Sequence, residues 1–213
     1  MMDATVFAYR ELFRMTQLQG ILQDICNVYL LICKTGKMVS NNENAIRDAF
    51  CEYLQNDCYK NNYTDVVKCY HVDTEAREGE HGRTDIRFLK VKDYEGQQVY
   101  YTIECKRLDG NNHLCKEYVD NGIRRFTLGK YPTYLGCNAM LGFVVCSIDL
   151  DETVNKVNSH LNFTEHLHIQ DNTVSSIVRL ESWHLAPDMF LLYHIWTNFS
   201  GVVEMEQSGA VNK

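Results

Sequence analysis

The sequence lacks any apolar run long enough to cross a lipid bilayer. Its longest apolar stretches, residues 140–146 and 189–196, fall well short of the roughly 20 residues that a transmembrane helix needs. The N-terminus also lacks the basic and then apolar pattern of a secretory signal peptide. We therefore expect a cytoplasmic protein that has no membrane partner.

Cysteine pairs at metal-ligand or redox spacing are missing as well. The chain has nine cysteines, an odd number without a CxxC spacing, and most of them stand among apolar neighbours. This pattern is typical of reduced thiols in a core and argues against a disulfide framework. At 213 residues, with neither internal repeats nor low-complexity segments, the chain is most simply one domain.

Positive charge is scarce. The chain has 21 lysines and arginines against 28 aspartates and glutamates, a formal net charge of −7. Domains that bind nucleic acid without sequence preference are usually basic, because lysine and arginine neutralise the phosphates. Either positive charge is concentrated around a site, or another subunit delivers the substrate. Six basic residues of the middle third favour the first alternative: Arg83, Lys106, Arg107, Arg124, Arg125 and Lys130.

The strongest functional pattern lies between residues 82 and 107. Asp85 opens an alternating apolar run that predicts a half-buried strand, and residues 99–105 predict a second strand after a polar hairpin at 93–97. Because side chains alternate along a strand, Glu104 and Lys106 point the same way, while Ile103 and Cys105 point to the other face. An antiparallel register brings Asp85 close to Glu104.

Two carboxylates and a lysine at one point have a chemical interpretation. Converging carboxylates repel each other unless a hard cation neutralises them, and their oxygens suit Mg²⁺ or Mn²⁺. An ammonium beside the metal can orient or activate a water molecule, or stabilise charge on a phosphate oxygen. The alternative is an exposed strand face that carries a cross-strand charge pair.

Asp85, Glu104 and Lys106 resemble the motif of the PD-(D/E)XK, or restriction-endonuclease-like, nuclease superfamily over about residues 40–147. The residue before Asp85 is Thr84 where the motif has proline. In that family a helix before the strands often carries a further glutamate, and Glu43 matches it. The resemblance implies an α/β fold with a mixed sheet flanked by helices. It also implies Mg²⁺ or Mn²⁺ held by Asp85, Glu104, the Cys105 carbonyl and Glu43.

Several of these residues have a second interpretation. Glu43 follows a Ser-Asn-Asn cluster, so it is equally typical of a carboxylate that complements a helix dipole. The resemblance also implies that the helix after Lys106 lends groups to a nucleic-acid groove. The candidates on that helix are Tyr118, Arg124 and Arg125, and Arg107 and Lys130 are candidates beside it. A core aromatic is the better interpretation of Tyr118, and a surface side chain that of Lys130. For the two arginines, a solvated helix face is as typical as a phosphate contact.

The remaining pattern predicts the elements around this motif. Residues 1–35 form an N-terminal helical element, 40–147 the catalytic core, 150–199 a C-terminal helix and strands, and 200–213 a tail. Within them we expect helices at 3–35, from 43 to about 57, from the end of the loop at 108–112 to about 127, and at 150–157. Further strands are expected at 63–74, 140–148, 174–185 and 189–199.

The sequence thus predicts a metal-dependent nuclease, cutting DNA or occasionally RNA. A small acidic nuclease without a base-reading module suggests, by analogy, the effector subunit of a larger bacterial or phage defence system. A homodimer through the first helix is an alternative assembly. The alternative function is a catalytically inactive binding or regulatory subunit on the same fold, in which an ion pair fills the site.

Overall fold

A seven-stranded mixed sheet organises the molecule. The computed structural model describes residues 4–64, 66–77, 83–90, 100–133, 135–174 and 176–204. The strand order across the sheet is β1-β2-β3-β4-β7-β6-β5. The strands are β1 (Tyr70–Arg77), β2 (Arg83–Lys90), β3 (Tyr100–Leu108), β4 (Cys137–Val144), β5 (His168–Val174), β6 (Ile177–His184) and β7 (Phe190–Asn198).

The centre of the sheet is parallel and its two sides are antiparallel. Strands β3, β4 and β7 run in the same direction, β1 and β2 extend the sheet on one side, and β5 and β6 on the other. Every residue of β4 is buried, as a parallel strand covered on both faces requires. The sequence prediction of a buried central strand here is confirmed, although β4 begins at Cys137.

Helices cover both faces. They are α1 (Ala4–Thr35), α2 (Glu43–Gln55), α3 (Asp57–Tyr63), α4 (Asn112–Tyr118), α5 (Arg124–Thr127) and α6 (Leu150–Asn158). The apolar faces of α1 and α2 pack on one side of the sheet, and α4, α5 and α6 pack on the other. A π-helical turn, Val119–Ile123, joins α4 to α5. The predicted α/β class, with a mixed sheet, flanking helices and an N-terminal helix, is confirmed.

Two parts of the sequence prediction are wrong. Residues 57–63 are helical, and β1 begins only at Tyr70. The Asn56 side chain accepts the backbone N–H of Tyr59 at 3.3 Å, a helix start that the prediction did not use. Strand β5 was missed because its residues do not alternate regularly, and its pairing with β6 contains register shifts. The expected hairpin at 93–97 lies outside the described residues.

The cysteines support the interpretation as core thiols. Eight are described as free thiols, and five of these are buried, while Cys69 and Cys146 are exposed. The buried ones are Cys26, Cys51, Cys105, Cys115 and Cys137. Within the described ranges, no helix combines the length and the apolarity that spanning a bilayer requires.

Candidate active site

Strands β2 and β3 separate where the candidate site begins. Their last paired residues are Ile86 and Ile103, so Asp85 and Glu104 each lie one residue beyond that pair. Beyond that pair a side chain, not the backbone, makes the hydrogen bond to β3, because Asp85 Oδ2 accepts the Cys105 N–H at 2.7 Å. The predicted antiparallel register is confirmed, and Asp85 is held at β3 by a direct bond.

Glu104 is the most buried charged group of the site. Its side chain is 0% exposed, and its Oε2 accepts the Tyr131 hydroxyl at 2.7 Å. Its Oε1 lies 3.3 Å from Lys106 Nζ and 3.1 Å from Arg125 Nη1, yet it accepts no hydrogen bond of good geometry from the described residues. Burial and the nearby Asp85 raise the pKa of Glu104 to about 7, although both cations act in the opposite direction.

Lys106 connects the sheet to α2. Its ammonium donates to Glu43 Oε1 and to the Cys105 carbonyl, both at 2.8 Å. Its stem passes close to the π-helical turn, where a Cβ at Gly122 would lie 3.4 Å from Lys106 Cγ. Burial opposes the charge of Lys106, but Glu104 and Glu43 outweigh it, so its pKa is raised and the ammonium stays protonated at neutral pH.

Glu43 is the first residue of α2, as the sequence predicted. Asn42 caps the helix by accepting the N–H groups of Asn44 and Ala45. Glu43 Oε2 also accepts the backbone N–H of Arg107 at 3.1 Å. The carboxylate therefore does more than complement the helix dipole, since it joins the start of α2 to the end of β3 and contacts Lys106.

Sequence reasoning missed two members of this site. Arg47, one turn after Glu43 on α2, contacts Asp85 Oδ1 at 3.3 Å and is itself only 5% exposed. The i, i+4 spacing from Glu43 was a usable signal for it. Tyr131 follows the turn after α5 and bonds Glu104. No local pattern marks Tyr131, because 27 residues separate it from its partner.

Three acidic side chains meet three basic ones here: Glu43, Asp85 and Glu104 against Arg47, Lys106 and Arg125. Arg47 is also paired with Asp48 at 2.7 Å and with Glu75 at 3.1 Å. Among the described residues, no group of three His, Cys, Asp or Glu side chains is arranged to hold a metal ion. The donor set nevertheless fits a hard divalent cation, because it consists of carboxylate oxygens and a backbone carbonyl. Glu104 Oε1 in particular is buried and has a free acceptor position.

The predicted nucleic-acid contacts are divided between different environments. Arg125 belongs to the site through Glu104. Arg107 donates to the Asn41 carbonyl at 2.8 Å, at the edge of the site. Arg124 forms an ion pair with Asp120 on its own helical run, and Lys130 is exposed.

For Tyr118 the structure bears out the preferred interpretation, a core aromatic, and leaves no exposed surface for a contact with nucleic acid. Its side chain is 0% exposed. Its hydroxyl lies 2.9 Å from His194 Nδ1 and accepts the Trp196 indole N–H at 3.1 Å. The ring is a core aromatic whose polar end is satisfied internally.

A second polar cluster has the residue types of a hydrolase triad but not its accessibility. Ser182 Oγ lies 2.8 Å from His184 Nε2, and His184 Nδ1 lies 3.3 Å from Glu165. Ser182 is 0% exposed, and its Oγ is also 2.8 Å from His194 Nε2. Burial lowers the pKa of both histidines. A nucleophile needs an open side for substrate, so this cluster is a buried hydrogen-bond chain.

The pKa of Glu104 predicts a pH-dependent stability. Between pH 4.5, the ordinary pKa of a glutamate, and about pH 7, Glu104 is protonated in the folded protein and ionised in the unfolded chain. The contribution of Glu104 to the unfolding free energy is therefore lost as pH rises through that range. Relative to Glu104→Gln, the wild type is expected to lose about 3 kcal/mol of unfolding free energy between pH 4.5 and 8. Urea unfolding in EDTA measures it, with the exposed Glu52→Gln as control. Parallel pH curves for wild type and Glu104→Gln would contradict it.

Comparisons of the chain with protein-family models, with curated proteins and with solved structures find no match, so the function has to follow from the chemistry of this site.

Proposed function

We propose that the protein is a metal-dependent nuclease that hydrolyses phosphodiester bonds, with DNA as the favoured substrate. One observation carries the proposal. Asp85 and Glu104 extend from neighbouring strands into the point where those strands separate, and Lys106 lies 3.3 Å from Glu104. Two carboxylates and an ammonium so placed suit phosphoryl chemistry with a divalent ion.

The order of the elements supports the same proposal. Helix α2 carries Glu43, the antiparallel β2 carries Asp85, β3 carries the Glu-x-Lys pair, and a helical crossover leads to β4, parallel to β3. This order agrees with the helix, strand and strand arrangement that the resemblance to the restriction-endonuclease-like superfamily implies. We extend the proposal to that fold.

The ion would be Mg²⁺ or Mn²⁺, held by Asp85 and Glu104 with the Cys105 carbonyl and Glu43 as further oxygen donors. The chemistry that such an ion would supply is polarisation of the scissile phosphate and support of the leaving oxygen. Glu104 must be ionised to act as a ligand, so its pKa of about 7 makes binding stronger above neutral pH.

Lys106 acts as a donor in this proposal. Its raised pKa keeps it protonated, so it cannot accept a proton from water at neutral pH. Its ammonium has three N–H groups, and the bonds to Glu43 and to Cys105 fix its position. From there it orients the attacking water or stabilises charge on a phosphate oxygen.

Charge indicates the side from which a phosphate approaches. An open groove of about 490 Å³ beside Arg47 is lined by Asp48, Glu52 and Glu75, which repel a polyanion. On the other side lie the partly exposed Arg125 and the exposed Lys130. We therefore propose that nucleic acid reaches Glu104 past α5.

We also propose that a partner subunit takes part in substrate binding. The net charge is −7, and several arginines near the site are engaged by carboxylates, as Arg83 is by Glu75 at 3.1 Å and Arg124 by Asp120. Electrostatic attraction from this chain alone is weak. By analogy we propose an effector subunit of a bacterial or phage defence system, in which a partner or a second copy supplies substrate binding.

A catalytically inactive binding or regulatory subunit is the second candidate. It is favoured by the pairing of every site carboxylate with a basic side chain: Glu43 with Lys106, Asp85 with Arg47, and Glu104 with Lys106 and Arg125. In that case the ion pairs are structural and the site needs no metal.

Cleavage assays separate the two candidates. Purified protein is incubated with plasmid, linear duplex and single-stranded DNA and with RNA, in Mn²⁺, in Mg²⁺ and in EDTA. The nuclease proposal expects products with 5′ phosphates in Mn²⁺ or Mg²⁺ and none in EDTA. Intact substrates under every condition would favour the inactive subunit.

A further inference from the structure

Arg125 stands at the oxygen of Glu104 that a divalent ion would need. Its Nη1 lies 3.1 Å from Glu104 Oε1 and donates to the Tyr131 hydroxyl at 2.5 Å. Tyr131 in turn holds Glu104 Oε2 at 2.7 Å. Of the two carboxylate oxygens, one is therefore fixed by Tyr131, while the other faces Arg125 and Lys106.

The contact between Arg125 and Glu104 affects metal binding because of the positive charge that it brings to the carboxylate. Two basic side chains, Lys106 at 3.3 Å and Arg125 at 3.1 Å, already face Glu104 Oε1, so a divalent ion arriving at this oxygen adds excess positive charge unless one of them moves away. A cation a few ångströms from a second cation is repelled strongly where water is scarce. One of the basic groups near the carboxylates must therefore move away, or metal binding is weak.

Exposure identifies which group can leave. The side chain of Arg47 is 5% exposed and that of Lys106 is 11% exposed, whereas that of Arg125 is 34% exposed. Moving a buried charge breaks hydrogen bonds that water cannot replace, whereas the partly exposed Arg125 exchanges its bonds to the Tyr131 hydroxyl and the Arg83 carbonyl for bonds to water. Arg125 also lies on α5, a four-residue helix followed by a turn with Gly129 at φ +69.

We infer that Arg125 is an internal counter-ion that competes with the divalent metal for Glu104 and swings out toward the approaching phosphate side when the metal binds. This inference rests on the proposed function, because it assumes that Glu104 is a metal ligand. If Arg125 competes in this way, it sets the affinity of the site for the divalent ion without being a ligand of that ion.

Calorimetric titration of Mn²⁺ into Arg125→Gln at pH 8, without nucleic acid, tests the inference. Removing a unit charge near the ion is expected to tighten Mn²⁺ binding about tenfold relative to the wild type. Arg125→Lys keeps the charge and is expected to stay within a few-fold of the wild type. The matched control is Arg124→Gln, the neighbouring arginine, which pairs with Asp120 and not with Glu104.

The possible results distinguish the counter-ion role of Arg125 from the proposed metal-dependent function on which it rests. Equal Mn²⁺ affinity in wild type, Arg125→Gln and Arg124→Gln overturns the counter-ion role, even if the protein cuts DNA. Equal tightening in both glutamine variants also overturns it, since that is a general charge effect. No Mn²⁺ binding in any variant overturns the inference together with the metal site on which it depends.

Discussion

Asp85→Asn is expected to lower the rate of metal-dependent cleavage about a thousandfold, because removing a ligand charge forfeits several kcal/mol of transition-state stabilisation. Asparagine keeps the size of the side chain and can still accept the Cys105 N–H, which Asp85 accepts at 2.7 Å. The expected loss of cleavage rate therefore comes from the missing negative charge at the site. Rates are measured with a fluorescent oligonucleotide in saturating Mn²⁺, and thermal unfolding checks that the variant is folded.

The matched control is Asp73→Asn. Asp73 lies opposite Arg87 in the same β1 and β2 pair and forms an ion pair with it at 2.6 Å, away from Glu104 and Lys106. It should cleave at nearly the wild-type rate. Cleavage by folded Asp85→Asn at the rate of Asp73→Asn would show that Asp85 does not hold the catalytic ion.

Lys106→Met is expected to separate metal binding from catalysis. Methionine approximates the stem that passes Gly122 but removes the ammonium, so cleavage should fall about a hundredfold or more. Mn²⁺ binding should persist or tighten, because Glu43, Asp85 and Glu104 remain and a competing cation is gone. Single-turnover cleavage and calorimetry measure the two quantities.

Lys116→Met, at a lysine of α4, serves as the control. Lys116 pairs with Asp120, and its side chain is 56% exposed, so both quantities should match the wild type. Loss of Mn²⁺ binding together with cleavage in Lys106→Met would show that Lys106 supports the site structurally. Unchanged cleavage would remove it from the mechanism.

The core of the site was predictable because it depends on local rules. Alternation along a strand places Glu104 and Lys106 on one face, and one hairpin register fixes Asp85 relative to Glu104. The Ser-Asn-Asn cluster before Glu43 marks a helix start. None of these steps needs information about distant parts of the chain.

The remaining contacts depend on how separate elements pack. Tyr131 reaches Glu104 only because the crossover from β3 to β4 returns across the sheet, and sequence patterns do not encode that path. For Arg125 the sequence left a phosphate contact and a solvated helix face open, and neither interpretation predicts its ion pair with Glu104. The strand predicted from residue 63 begins only at Tyr70, because the chain first forms a second short helix after the Asn56 cap.

The most direct test of the account is a calorimetric titration of Mn²⁺ into the wild-type protein at pH 8, where Glu104 is ionised. The account predicts a single class of site that disappears in the Asp85→Asn and Glu104→Gln double variant. Absence of Mn²⁺ binding to the wild type, or binding that survives in the folded double variant, would contradict the claim that these two carboxylates share a divalent ion.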